Sequence, residues 1–309
     1  MHVVIPFALS DDPACRQAAQ ALKLPALEQI VKAFSPSPSS LTPPKDMALA
    51  HEHVRATHLG LPISAHYPWA ALEARAWGMD TTQAWAYVTP CHWLVGQGQV
   101  MMGNPHDLQL SPEDVEGLRL AMHTFFAEDG ISLHASPGAA HWLACGDVFK
   151  HLQTAPAARA IGRNLSPWLP DSDLLRRLQN EMQMLLYTHP INDARSERGA
   201  LAVNSVWFSG TGALPEGFQA AALPATWQEH DVLQAHALNN RWDHWQAAWQ
   251  TLDATVLQAL LQAAQHGPVT LSLCSEDRVL TLCNTPRHFL QKLKHRLSPQ
   301  GLNTIWNAL

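Results

Sequence analysis

The sequence predicts an α/β protein that carries a compact α+β unit in its middle, and three observations predict it. The apolar run Val3–Leu9 is short and stops at Ser10-Asp11-Asp12, which suits a buried first strand. Segments with apolar residues at helical spacing follow it and return in the last third. Between residues 82 and 208, short strand-like runs are mixed with amphipathic helices, as in a compact α+β unit.

Each element has its own local reason. His2–Phe7 is the first strand. A helix over Pro13–Phe34 carries Leu22, Leu24, Leu27, Ile30, Val31 and Phe34, and Pro25 divides it by removing a backbone donor. Ser35–Pro44 is rich in Ser and Pro and is read as an irregular loop or linker. Lys45–His58 is a helix ending at Gly60, and Trp69–Trp77 another ending at Gly78. Ala84–Val88, His92–Val95 and Gln99–Met102 are short strands. Ser111 caps a helix running to Phe126, with Pro112 in its first turn and Glu113 and Asp114 set against the helix dipole. Ile131–His134 and His141–Cys145 are strand-like, Asp171–Tyr187 is an amphipathic helix, and Leu201–Phe208 is a strand. Trp242–Gln265 is one long helix. Val269–Cys274 and Arg278–Cys283 form a hairpin about Ser275-Glu276-Asp277, and a helix over Pro286–Leu297 follows.

Composition narrows the function. Of 309 residues, 47% are apolar, enough for a sizeable core in one large domain or two smaller ones. Lys and Arg number 20 against 26 Asp and Glu, and the net charge of −6, with no Lys/Arg run, argues against a nucleic-acid partner. No stretch approaches the roughly 20 apolar residues of a membrane span, so no membrane partner is expected. The five Cys are an odd number, widely spread, with no CxxC pair; in the hairpin, Cys274 faces Val279 and Cys283 faces Thr270. Free thiols in a reducing cytoplasm are the expectation.

Several stretches carry candidate chemistry. His51-Glu52-His53, with His58, reads as a solvated helix face; the H-x-H spacing puts the two rings on different sides of the helix, which disfavours a metal site. Trp242, Trp245 and Trp249 form one helical stripe, either core or an interaction surface. Cys91 and His92 point to opposite faces of a strand and do not pair as nucleophile and base. Ser209-Gly210-Thr211-Gly212 follows a strand and reads as an ordinary turn or as a backbone cradle for an anion. His189–Gly199 reads as a polar loop whose Arg195 and Arg198 are either solvated or suited to a carboxylate or phosphate.

His189-Pro-Ile-Asn192, Arg195, Gly199, then Val203-Asn204-Ser205-Val206-Trp207, Gly210, Gly212 and Pro215, resemble a stretch of the cofactor-independent phosphoglycerate mutases of archaeal type, in the alkaline-phosphatase superfamily. Leu59-Gly60-Leu61-Pro62 with Ala71-Leu72-Glu73-Ala74 and Gly78 resembles a second segment of that family. Leu24-Pro25-Ala26-Leu27-Glu28 resembles the start of its first helix. The resemblance implies a three-layer αβα core from residues 1–81 and 209–309, with an inserted α+β domain at 82–208. It also implies that Asn192, Arg195, Asn204, Gly210 and Gly212 belong to a ligand-binding set for a small anion.

The departures bear on catalysis. Where the family carries a metal-binding Asp after its first strand, this sequence reads Phe7-Ala8; where it carries Gly-Arg ahead of Leu-Glu-Ala, Pro68-Trp69 stands. The strand at Val269–Cys274 ends in Ser275-Glu276-Asp277 with no His. The resemblance implies two metal ions that activate a Ser and hold phosphoryl oxygens, and Phe7 supplies no ligand. The expectation is a degenerate relative without a metal cofactor, binding a small anion or a protein partner in a regulatory role. The rival expectation is an active metal-dependent mutase or phosphatase whose two divalent ions (Mn, Zn or Mg) are held by Asp11, Asp12, Glu276, Asp277 and His244, with Asp243 and His230 nearby. A third is an interaction module built on the Trp stripe.

Overall fold

The structure, a computed structural model, describes residues 1–37, 47–96, 98–136, 138–284 and 301–309. Strand β1 (His2–Ile5) leads to helices α1 (Pro13–Ala21) and α2 (Pro25–Ala33), strand β2 (Ser35–Pro36) and helices α3 (Ala50–Leu59) and α4 (Trp69–Ala76). Strands β3 (Trp85–Cys91), β4 (Trp93–Val95) and β5 (Val100–Met102) precede α5 (Pro112–Glu128), β6 (Ser132–Ala135) and β7 (Trp142–Cys145). Then come α6 (Ala157–Ala160), α7 (Asp173–Tyr187), α8 (Pro190–Glu197) and β8 (Ser205–Gly212). The chain continues through β9 (Trp227–Glu229), α9 (Val232–Leu238), α10 (Trp242–Leu252), α11 (Gln258–Ala263), β10 (Thr270–Cys274), β11 (Val279–Cys283) and α12 (Leu302–Ala308).

These elements form two compact units, one of Met1–Lys45, Leu49–Ile63 and Ala220–Leu309, the other of Asp46–Ala48 and Ser64–Gln219. The first has a mixed sheet in the order β2-β11-β10-β1-β9, in which β1 runs parallel to both β10 and β9. Val3, Val4 and Ile5 are fully buried, as a central parallel strand requires. Helix α3 contacts β10 and β11, while α1, α2 and α10 to α12 pack among themselves. A π-turn over Asp253–Leu257 joins α10 to α11, within the single helix expected at 242–265. It turns the Asp253 carboxylate inward to accept the backbone N–H groups of Ala26 (3.1 Å) and Leu27 (2.8 Å), capping α2 from a distance.

The second unit has an antiparallel sheet in the order β6-β7-β3-β8. Along β3, Ala86 and Val88 join the core under α5 and α7, while Trp85 and Tyr87 face α4 on the other side, the period of two that a strand imposes. Ala70, Ala71 and Ala74 let α4 lie close to this sheet. That packing is why the unit begins at Ser64, upstream of the 82 expected, and runs on to Gln219.

Several local expectations are corrected. Ser35–Pro36 is a two-residue strand paired to β11 at the sheet edge, where a proline is tolerated; residues 38–44 of the expected linker lie outside the described residues. The polar loop at 189–199 is helix α8, because His189 Nδ1 accepts the Ile191 N–H (3.3 Å) and Pro190 takes the first helical position. Ser209–Gly212 lies inside β8 and is not the turn expected after it. The hairpin registers Cys274 with Val279 and Thr270 with Cys283, as read from the sequence. The helix expected at 286–297 lies outside the described residues.

At the amino end of β1, His2 Nε2 is 2.9 Å from Ser272 Oγ, and its ring centroid is 4.7 Å from that of Trp227 and 5.7 Å from that of His58. Burial, then the neighbouring His58, pushes its pKa down to about 4. The unfolded chain, with an ordinary imidazole near 6.5, binds the extra proton first. Stability is therefore expected to be at its full value above about pH 6.5 and to fall as pH drops towards 4. Thermal midpoints across that range check this, and His2→Gln is expected to flatten the profile.

Candidate functional site

In sheets with parallel strands, ligands bind beyond the carboxyl ends of those strands, so the end of β1 is the first place to look. The chain stays beside β10 there, through the Ala8 N–H to the Cys274 carbonyl (2.8 Å). Phe7 has a positive φ of 54°, an outlier for a bulky side chain that costs about 1–3 kcal/mol. Its surroundings hold it there. Phe7 is 2% exposed and its ring lies 6.2 Å from that of His51. Its carbonyl accepts the Trp245 indole N–H (3.0 Å), and the Ala8 carbonyl accepts that of Trp249 (3.2 Å). Trp245 and Trp249 are fully buried, so of the two readings of the Trp stripe these two residues follow the core one, while Trp242 is half-buried. Burial pushes the Cys274 thiol well above its ordinary range and Cys15 up to about 11, so both stay protonated.

The carboxylates and imidazole of the rival reading are spread apart. Asp11 pairs with Arg16 (2.6 Å) at the surface. Asp12 caps α1, accepting the N–H groups of Ala14 (2.7 Å) and Cys15 (3.4 Å). Glu276 and Asp277 lie in the β10–β11 turn, where the Glu276 carbonyl accepts the Ala50 N–H (2.9 Å). His244 is exposed on α10, 3.0 Å from Asp243. Among the described residues, no three of His, Cys, Asp and Glu are grouped to hold a metal ion. His51, Glu52 and His53 are buried, which corrects their reading as a solvated face; Glu52 Oε2 accepts the Leu49 N–H (2.7 Å) at the start of α3.

In the antiparallel unit, the residues matched to the ligand set are bonded internally. Asn192 donates to the Leu186 and Val203 carbonyls (2.8 and 2.7 Å) and accepts the Val203 N–H (2.9 Å). Asn204 exchanges two bonds with the backbone of Trp93 (2.6 and 2.9 Å). Arg195 has no exposed surface. It pairs with Asp114 (2.5 Å) and donates to the carbonyls of Leu108 (2.5 Å) and Leu201 (2.7 and 3.0 Å). Burial works to raise the Asp114 carboxyl, but hydrogen bonds from Arg198 and the Ser111 N–H, with the Arg195 and Arg198 charges, outweigh it and hold the group below its usual range. Gly210, at φ +62°, presses on Tyr87: a Cβ there would stand 2.8 Å from the ring.

That ring belongs to a cluster absent from the sequence reading. Glu73 Oε1, on α4, accepts the Ser136 hydroxyl (2.5 Å) and lies 3.4 Å from His141 Nε2, whose ring meets that of Tyr87 edge to face at 4.6 Å, while the Tyr87 hydroxyl donates to the Trp69 carbonyl (3.1 Å). No spacing in the sequence marks it, because Glu73, Ser136 and His141 come from separate stretches of the chain.

No protein-family model and no curated protein matches the chain. Among solved structures it is similar to the PH0037 protein of Pyrococcus horikoshii, with a TM-score of 0.53 and 11% identity over 91% of this chain and 86% of that one. That likeness supports the α/β fold. A cofactor-independent phosphoglycerate mutase from Thermoplasma acidophilum is also similar, with a TM-score of 0.38 and 15% identity over 91% of this chain and 89% of that one. No helix among the described residues is long and apolar enough to cross a membrane.

Removing one partner of a buried ion pair leaves an uncompensated charge and costs about 3–5 kcal/mol. Arg195→Met is therefore expected to lower the unfolding free energy by about 3–5 kcal/mol, read as a lower urea midpoint at an unchanged slope. Arg198→Met, at a half-exposed position, is expected to cost about 1 kcal/mol or less. Urea unfolding followed by tryptophan fluorescence compares the two.

Proposed function

We propose that this chain is a phosphoglycerate-mutase-like protein that binds its ligand without two-metal phosphoryl transfer. The observation that carries the reading is Phe7. It stands where the resemblance implies a metal-binding Asp, is buried, and has its carbonyl bonded to an indole. A divalent ion needs several oxygen or nitrogen ligands converging on one point. The side chains of Phe7 and Ala8 offer none, and the described residues bring no other three ligands together. These residues do not fit a pair of ions.

Asn192, Arg195 and Asn204 support the same reading from the other unit. An anion arriving at Arg195 meets a guanidinium with no exposed surface, already engaged by Asp114 and two carbonyls. In this reading the matched set is framework, and Gly210 and Gly212 seat neighbouring side chains. What remains for the protein is binding rather than turnover.

Elemental analysis after incubation with Mn, Zn and Mg salts, combined with assays on 2- and 3-phosphoglycerate and a chromogenic phosphate monoester, tests this. The expected result is no stoichiometric metal and no turnover above the buffer rate. Stoichiometric divalent metal accompanied by turnover would overturn the reading.

A further inference from the structure

We draw no further inference here: the strongest candidate, the apolar surface patch that Leu94 (49% exposed) and Val95 (83% exposed) form on the separate two-stranded β4–β5 hairpin, carries nothing because nothing in the structure shows what covers it.

Discussion

Two backbone carbonyls leave the end of β1 without strand partners, and two indoles take them. Trp245 and Trp249 stand one turn apart on α10, and their N–H groups reach Phe7 and Ala8. Buried carbonyls demand donors, and here the donors arrive on large apolar rings. This one choice ties α10 to the strand end and extends an edge-to-face series from Trp242 through Trp245 and Trp249 to Trp306. It also fixes Phe7 in a backbone conformation it would not otherwise adopt. An ion centre at the same place would need oxygens and some water in that volume. The indoles satisfy the backbone there with apolar rings, which is the packing on which the reading of a protein without a metal pair rests.

The antiparallel unit shows the same rule applied to charge. Arg195 is wholly buried, and its guanidinium is closed by Asp114 and two carbonyls. The pair joins the start of α5 to α8 and to the approach to β8. Its worth lies less in net energy, since burying two charges is costly, than in allowing one arrangement only. Glu73 is the counterexample within the same unit. Its side chain is a quarter exposed, and its neighbours are the Ser136 hydroxyl and the His141 ring rather than an arginine.

Much of the fold is legible in the sequence because local chemistry and tertiary packing agree there. Pro25 divides α1 from α2, Gly60 ends α3 in a left-handed turn, and Ser111-Pro112 starts α5. The reading falters where packing overrides local preference. Helix α8 is short and polar, and its start depends on a histidine cap that composition does not announce. Strand β9 has three residues at a sheet edge and little periodicity to detect. Asp253 looks like any helix carboxylate, and only the fold brings it to the start of α2, more than 200 residues away in sequence. Glu73, Ser136 and His141 meet for the same reason: α4 and the facing ends of β6 and β7 are joined by tertiary packing, which no spacing rule encodes.

The polar motif at 189–212 illustrates a more general ambiguity. The planar donors of arginine that suit a phosphate suit backbone carbonyls equally well. An asparagine that could bind a ligand can also bridge two strands of chain. A motif therefore specifies donor geometry without saying who accepts. What separates the two roles is the number of internal acceptors within reach, and at Asn192, Arg195 and Asn204 that number is high enough to bind each head group to the protein itself. The two glycines fit the same logic, because the room left by a missing Cβ is taken by Tyr87 beside Gly210 and by Pro68 beside Gly212. Residues that hold a framework together can keep their spacing after the chemistry around them has changed, and a motif resemblance can then persist where a reaction does not.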